Sequence, residues 1–231
     1  MNNCLAIIPA RGGSKRILRK NIKDFIKNPV IKYSIDAAKS TQLFDEIMVS
    51  TDDIEIKDIS INLGANVPFI RSKKNSDDFS TTSDVILEVL NDYYQIGKEF
   101  EYICCIYPAA PLINFEKILQ AYKKIKENKL TSVFPVVSYR TPIERALKFE
   151  GDNIKIKNKK YLNKRSQDLD EYYYDAGQFY WLNTKLFLKE RKIFSKNSGA
   201  IILSELEAQD IDNEIDWNLA EIKYSLLKNK L

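Results

Sequence analysis

Residues 7–21 read Ile7-Ile8-Pro9-Ala10-Arg11-Gly12-Gly13-Ser14-Lys15-Arg16-Ile17-Leu18-Arg19-Lys20-Asn21. The stretch begins as the end of an apolar strand, which a proline stops because it has no backbone N–H to donate to a sheet. Two adjacent glycines then leave the backbone free to turn and to approach a ligand closely. Five cations lie between residues 11 and 20. Since a polyphosphate needs such pre-placed donors and charges, the stretch predicts a polyphosphate-binding loop.

Strands and helices alternate in the first 138 residues. Strands are expected at residues 5–8, 46–50, 67–70, 102–107 and 132–138, with helices at 29–40, up to 63, 83–95 and 114–128. This alternation predicts an α/β fold with a mainly parallel sheet and helices on both faces. Ligands bind such sheets beyond the carboxyl ends of the strands, which is where the loop lies. The segment Thr51-Asp52-Asp53 is expected to cap the second helix.

The alternation breaks near residue 140. Short alternating segments and a basic run over residues 140–172 predict an antiparallel excursion, after which the chain returns as strands at 177–182 and 201–203 and a last helix at 215–227. We expect residues 1–231 to form a single domain that includes this excursion.

Composition excludes several classes of protein. A net charge of +4 is too small to indicate nucleic-acid binding, and the chain has no histidine for imidazole acid–base chemistry. The three cysteines lack metal-ligand spacing and indicate buried thiols in a reducing cytoplasm. No apolar run is long enough for a membrane span, and the amino terminus does not read as an export leader, so we expect a cytoplasmic protein.

The glycine spacing matches neither G-x-G-x-x-G nor G-x-x-x-x-G-K-[ST]. The loop resembles instead the first motif, I-P-A-R-x-x-S-K-x-I-P-x-K-N, of the CMP-sugar synthetases that activate sialic-acid-like nonulosonic acids. The matching positions are Pro9, Ala10, Arg11, Ser14, Lys15, Ile17, Lys20 and Asn21, and Leu18 replaces the family's usual proline. The resemblance implies a nucleotide-diphospho-sugar transferase-like, Rossmann-like fold. It also implies a reaction of CTP with a sugar acid that releases pyrophosphate.

The cations of the loop (Arg11, Lys15, Arg19 and Lys20) form the expected phosphate set, and Arg16 fits either the site or the solvent. As the resemblance implies, Arg11 and Lys20 hold the triphosphate and stabilise the departing pyrophosphate, while Asn21 recognises the cytosine. The predicted nucleotide-binding set is Ala10, Arg11, Gly12, Gly13, Ser14, Lys15, Asn21, Arg71, Asp78, Ser80 and Thr81. For Arg71 and residues 78–82, a surface arginine and a helix cap are the alternative.

Two further motifs concern the sugar. Tyr107-Pro108-Ala109-Ala110-Pro111 occupies the place of the family's Q-P-T-S-P motif, with Tyr107 at the sugar-contacting glutamine. Asp175-Ala176-Gly177-Gln178-Phe179-Tyr180 is similar to the pseudaminic acid cytidylyltransferase branch, whereas sialic-acid enzymes read N-G-A-I-Y there. We therefore predict CMP-pseudaminic acid as the product, with CMP-sialic acid (N-acylneuraminate) and CMP-legionaminic acid as alternatives. The predicted sugar-binding set is Tyr107, Pro108, Asp175, Gly177, Gln178, Lys164 and Arg165. The resemblance implies a homodimer in which the excursion carries Lys164 and Arg165 to the partner's sugar.

Asp210-Ile211-Asp212 places two carboxylates on one side of an extended segment. Neighbouring like charges are costly unless a cation lies between them, and Mg²⁺ takes one or two carboxylates together with water and phosphate oxygens. A helix cap is the alternative. The family's D-I-D-x-E-x-D form favours Mg²⁺ bound by Asp210 and Asp212, with Asp212 joining Arg11 and Lys20 in the catalytic set.

Two other classes of protein remain open. A Rossmann-type oxidoreductase is disfavoured because the G-x-G-x-x-G fingerprint is missing. A non-catalytic nucleotide-sugar binding protein would need no metal-binding pair.

Overall fold

The computed structural model of the chain describes residues 3–161 and 163–228. The remaining residues of the predicted domain (1–2, 162 and 229–231) lie outside this description. The strands are β1 (Cys4–Pro9), β2 (Asp24–Phe25), β3 (Asn28–Pro29), β4 (Glu46–Ser50), β5 (Tyr102–Ile106), β6 (Ser132–Ser138), β7 (Leu147–Glu150), β8 (Asn153–Ile156), β9 (Tyr173–Asp175), β10 (Phe179–Asn183) and β11 (Ser198–Leu203). The helices are α1 (Ile31–Thr41), α2 (Ile54–Asn62), α3 (Thr82–Gln95), α4 (Phe115–Glu127), α5 (Thr184–Glu190) and α6 (Glu214–Lys228).

The main sheet has the strand order β11-β6-β10-β5-β1-β4, with β9 also paired to β6. Strand β1 runs parallel to β4 and β5, and β11 runs parallel to β6. Strands β9 and β10 run antiparallel to their neighbours. This arrangement confirms the predicted mainly parallel sheet.

Strand β1 shows that the sheet is covered on both faces. Cys4, Ala6 and Ile8 belong to one core cluster, together with residues of α1 and α4. Leu5 and Ile7 belong to a second cluster, with residues of α3. Because side chains alternate along a strand, this division places helices on both faces, as the sequence predicts.

Two local predictions were wrong, and one helix was not predicted. Residues 67–70 do not form a strand, and Pro68 lies within this segment. Isolated bridges join Asn66 to Met48 and Ile70 to Thr51. Pro29 pairs with Asp24 in a short hairpin, so α1 begins two residues later. Helix α5 is absent from the prediction because its seven residues are too short for a helical period to be recognised.

A wide bulge separates β9 from β10. Asp175 pairs with Val136 and Trp181 with Val133, so residues 176–180 face only residues 134–135 of β6. Gly177 has a φ of +62°, a conformation that glycine adopts at no steric cost. The carbonyl oxygen of Gln178 accepts a hydrogen bond of 2.8 Å from the N–H of Tyr107, which joins the bulge to the end of β5.

The excursion contains an antiparallel hairpin formed by β7 and β8. Its apolar side chains Leu147, Phe149 and Ile154 are exposed. Among the described residues, no helix combines the length and apolar character needed to cross a bilayer.

Candidate active site

A cavity of about 400 Å³ opens beyond the carboxyl ends of β1 and β5. Its lining includes most residues predicted from the sequence: Arg11, Ser14, Lys15, Lys20, Asn21, Arg71, Asp78, Ser80, Thr81, Tyr107, Pro108, Gly177 and Asp210. It also includes residues that were not in the predicted sets: Pro9, Arg16, Ile17, Asn75, Asp77, Thr82, Val85, Ala109 and Ile211. Several of these are sequence neighbours of predicted residues, and proximity along the chain is the signal that could have found them.

The glycine-rich loop is held close to the end of β4. The N–H of Gly12 donates to the Asp52 carboxylate at 3.0 Å, and a Cβ atom on Gly12 would lie 2.6 Å from Asp53 Oδ2. Asn21 is buried, and its Nδ2 donates to the carbonyl oxygen of Arg11 at 2.9 Å. Ala10 is also buried, so Ala10, Gly12 and Gly13 contribute backbone to the loop and not side chains to the cavity.

The cations of the loop divide into two groups. Arg11 and Lys15 both contact Asp78, while Lys20 lines the floor near Asp210. Arg19 does not line the cavity, because its guanidinium bonds Asp53 and Glu55 beside α2. The hydrogen bond to Asp53 raises the pKa of Arg19. Including Arg19 in the phosphate set was therefore wrong, and Arg16 takes its place in the cavity lining.

Asp53, and not Asp52, caps α2 by accepting a hydrogen bond of 3.0 Å from the N–H of Ile56. Asp53 thus both caps the helix and binds Arg19.

Arg71 is almost fully buried at the wall of the cavity. Its Nε donates to Ser50 Oγ at 2.9 Å, and its Nη2 donates to the carbonyl oxygen of Ser50. Burial lowers the pKa of Arg71. These contacts exclude the alternative of a surface arginine, and they fix a positive charge beside the end of β4. Thr81 does cap α3 through a reciprocal pair with Asp84, so this residue is both a cap and part of the cavity lining.

Lys20 and Asp210 form the floor of the site, whereas Asp212 pairs with Arg16 and is not part of the cavity lining. Lys20 Nζ donates to the carbonyl oxygen of Ile211 at 2.7 Å, and Arg16 Nη1 lies 2.6 Å from Asp212 Oδ2. Burial lowers the pKa of Lys20, while the charges of Asp212 and Asp210 oppose this shift. Burial raises the pKa of Asp210, and repulsion from Asp212 adds to the effect. Because two carboxylates that lie this close repel each other, a nearby cation stabilises their charged forms.

The capping alternative for Asp210 and Asp212 is wrong. Asn213 Oδ1 accepts hydrogen bonds from the N–H groups of Ile215 and Asp216, and Asp216 Oδ2 accepts from those of Asp212 and Asn213. Asn213 and Asp216 therefore cap α6 reciprocally.

The two aspartates also fit the donor set for Mg²⁺. Within residues 3–161 and 163–228, no group of three or more acidic or cysteine side chains converges on one point. A pair of carboxylates suits Mg²⁺, which completes its octahedron with water and phosphate oxygens.

A second depression, of about 610 Å³, adjoins the cavity and shares Thr81, Thr82 and Tyr107 with it. Thr82 Oγ1 lies 2.8 Å from the Tyr107 hydroxyl, and the Tyr180 hydroxyl donates to Asp175 Oδ2 at 2.5 Å. Burial raises the pKa values of Tyr107 and Tyr180, so both stay neutral donors. This surface offers hydroxyl and carboxylate groups of the kind that bind a polyhydroxylated ligand.

Three predicted sugar-binding side chains lie away from both depressions. The Gln178 side chain is buried, and its Nε2 donates to the carbonyl oxygen of Glu207, so the prediction that it contacts the sugar was wrong. Lys164 and Arg165 lie on the excursion, where Arg165 pairs with Asp168 at 2.9 Å. Their predicted role at a partner's site stays a prediction.

The chain is similar to known proteins over almost its whole length. A model of the cytidylyltransferase family matches residues 5–222. The pseudaminic acid cytidylyltransferase of Campylobacter jejuni is 40% identical over 226 residues, which cover 96% of each chain. A CMP-N,N'-diacetyllegionaminic acid synthase of Legionella pneumophila is 30% identical over 94% of each chain.

Solved structures share the fold. A CMP:2-keto-3-deoxy-manno-octonic acid synthetase complexed with CTP covers 99% of both chains with a TM-score of 0.69 and 14% identity. A 4-diphosphocytidyl-2C-methyl-D-erythritol synthase of Anaerococcus prevotii gives a TM-score of 0.65 with 15% identity, covering 96% of this chain and 98% of that one.

Proposed function

This chain belongs to the cytidylyltransferase family, and we propose that it makes CMP-pseudaminic acid and pyrophosphate from CTP and pseudaminic acid. The observation that carries the proposal is the continuity of two subsites. A cavity lined by Arg11, Lys15 and Lys20 adjoins a depression lined by hydroxyl groups, and Tyr107 belongs to both. A nucleoside triphosphate in the cavity and a sugar acid in the depression would therefore be adjacent where the two subsites meet. The 40% identical relatives named for this activity support the choice of sugar.

In this proposal the anomeric hydroxyl of the sugar attacks the α-phosphorus of CTP, and the bond to the pyrophosphate oxygen breaks. Arg11 and Lys20 stabilise the charge that develops on the departing pyrophosphate, a positioning and electrostatic role that supplies most of the catalysis in phosphoryl-type transfer. Asp210 and Asp212 would hold Mg²⁺, which offsets the charge of the phosphate oxygens when bound. Because the chain has no histidine, the proton of the attacking hydroxyl passes to a carboxylate or to water.

The test is a product assay with CTP, Mg²⁺ and a panel of nonulosonic acids. Pseudaminic acid should give the highest kcat/KM, measured by pyrophosphate release and by the mass of the CMP-sugar. Higher kcat/KM with N,N'-diacetyllegionaminic or N-acetylneuraminic acid would transfer the proposal to CMP-legionaminic or CMP-sialic acid. Binding of CMP-sugars without release of pyrophosphate from any acid would favour the non-catalytic binding protein.

The proposal extends to a cytoplasmic homodimer. Free CTP and a reducing medium suit a chain whose three cysteines are buried in its core. The exposed apolar hairpin of the excursion supports association with a second copy, because such side chains gain stability when covered.

A further inference from the structure

Two loops meet over the mouth of the cavity. One is the glycine-rich loop, and the other is the segment 72–81, which we call the Asp78 loop. Asp78 Oδ1 lies 2.8 Å from Arg11 Nη2, and Asp78 Oδ2 lies 2.5 Å from Lys15 Nζ. Arg11 Nη1 also donates to the carbonyl oxygen of Asp77. Each oxygen of one carboxylate therefore binds a different cation of the phosphate-binding loop.

The Asp78 loop is organised by its own residues. The Asp77 carboxylate accepts hydrogen bonds from the N–H groups of Phe79 and Ser80 and from the Ser80 hydroxyl. At the base of the loop, Glu88 accepts hydrogen bonds from Ser72 and Asn75. These hydrogen bonds within the loop hold Asp78 in position to contact the two cations.

A carboxylate held between two cations takes up donor groups that phosphate oxygens could otherwise bind. Asp78 cannot itself bind phosphate, because both are acceptors and both are negatively charged. The hydrogen bonds from Lys15 and Arg11 hold the pKa of Asp78 below its usual value, so the group is charged at neutral pH. A triphosphate that reaches Arg11 and Lys15 must therefore displace Asp78.

We propose that Asp78 is a built-in competitor of the pyrophosphate group, which weakens the binding of ligands that carry this group and takes its place on Arg11 and Lys15 when it leaves. The proposal rests on the proposed function in that pyrophosphate is the leaving group. It gives Asp78 a competing role in place of the predicted direct contact with the nucleotide. CMP lacks the β- and γ-phosphates, so Asp78 leaves its affinity unchanged.

The test is calorimetric titration of the full chain with inorganic pyrophosphate, CTP and CMP, each with Mg²⁺. Asp78→Asn should tighten the binding of pyrophosphate and CTP by about 3- to 10-fold. In the unsubstituted protein the Asp78 carboxylate occupies the two cations most of the time, and the neutral amide leaves them available to phosphate. Asp78→Ala should behave in the same way, and CMP should bind all variants equally.

Asp152→Asn is the matched control, since it removes the same charge from an exposed turn between β7 and β8. It should leave all three affinities unchanged. Unchanged or weaker binding of pyrophosphate by both Asp78 variants would overturn the competitor role, whatever the sugar assay gives. Tightened pyrophosphate binding together with no turnover on any sugar acid would contradict the proposed function alone.

Discussion

At the residue scale, Lys20 links the two halves of the candidate site. It follows the glycine-rich loop in sequence, yet its ammonium group binds the backbone carbonyl of Ile211, between Asp210 and Asp212. Burial lowers the pKa of Lys20, and the two aspartates oppose that shift. The geometry therefore holds a cation next to the carboxylates and at the floor of the phosphate cavity.

Lys20→Ala should lower kcat/KM with CTP by about 10²-fold or more, which is the usual cost of losing one group that stabilises developing charge. Arg11→Ala should have a similar effect. Steady-state pyrophosphate release measures both. Lys23→Ala is the control, because Lys23 pairs with Glu214 outside the cavity lining and should leave turnover nearly normal. Near-normal turnover of the Lys20 and Arg11 variants would remove the phosphate role.

Asp210→Asn and Asp212→Asn should separate metal binding from folding. The folded state holds the proton of Asp210 more tightly than the unfolded chain does, so the charged carboxylate costs stability above its ordinary pKa. Removing that charge should leave the melting temperature of the metal-free protein unchanged or higher. Turnover should fall by orders of magnitude, with partial rescue by high Mg²⁺ or Mn²⁺.

These two effects are measured by thermal melting without metal and by turnover across a Mg²⁺ titration. A lower melting temperature with normal turnover that is independent of Mg²⁺ would contradict the metal role.

At the element scale, the beginning of α6 positions the carboxylate pair. Ile17 of the glycine-rich loop, Ile211 and Trp217 of α6 are buried in one apolar cluster. Alternation along residues 210–212 turns Ile211 into this cluster while Asp210 lines the cavity. The cap formed by Asn213 and Asp216 fixes where the helix begins.

Asn213→Ala should lower the free energy of unfolding by about 0.5–2 kcal/mol, the usual cost of losing an N-cap. The Mg²⁺ concentration for half-maximal turnover should change little, because Asn213 is not a predicted ligand. Urea unfolding gives the first quantity and a metal titration the second. Asn213→Ser, which retains a capping oxygen, should recover most of the stability. The Asp210 and Asp212 variants should show the opposite pattern, and an equal loss of metal response in Asn213→Ala would contradict this division.

At the scale of the whole molecule, the excursion stands apart from the main sheet. Phe149 is 72% exposed and Leu147 is 62% exposed on the β7–β8 hairpin. The excursion is tied back to the rest of the chain by a backbone hydrogen bond of 2.9 Å between Tyr139 and Tyr172 and by the ion pair of Arg140 with Glu205. An apolar hairpin of this kind is a suitable contact for a second copy.

If the chain forms the proposed homodimer, Phe149→Glu should shift it from dimer to monomer in sedimentation velocity, because a carboxylate on the proposed contact surface must be desolvated on association. If Lys164 and Arg165 serve the partner's site, turnover should fall with dissociation. Ile61→Glu, at an exposed apolar position of α2, is the control and should leave both unchanged. A fully active wild-type monomer at assay concentration would contradict the dimer.

Alkaline pH should destabilise the fold through its buried thiols. Burial raises the pKa of Cys4 from 9.0 to about 11 and that of Cys105 to about 12, and it also raises that of Cys104. Between about pH 9 and 11 the folded state retains protons that the unfolded chain releases, so the free energy of unfolding falls as pH rises. Urea unfolding at pH 8 and pH 10 measures the decrease. Cys105→Ala should make the decrease in the free energy of unfolding smaller. An equal decrease in that variant would exclude the Cys105 thiol as a cause.

Local patterns in the sequence determined most strands of the main sheet, the longer helices and the cationic loop. The limits of β4 and β6 coincide with the prediction, because apolar runs bounded by turn residues and polar caps are signals that neighbouring residues carry themselves. The loop was recognisable for the same reason, since its proline, glycines and cations are consecutive.

Only the tertiary structure decided which charges meet. Arg19 lies among the loop cations in sequence, yet it forms ion pairs with Asp53 and Glu55 outside the cavity. Arg16 pairs instead with Asp212, which is 196 positions away in the chain (212 − 16). Asp78 meets Arg11 and Lys15 only because the ends of separate elements converge at one edge of the sheet. Such contacts depend on the relative placement of distant segments, and that placement arises from packing of the whole core and not from any local pattern.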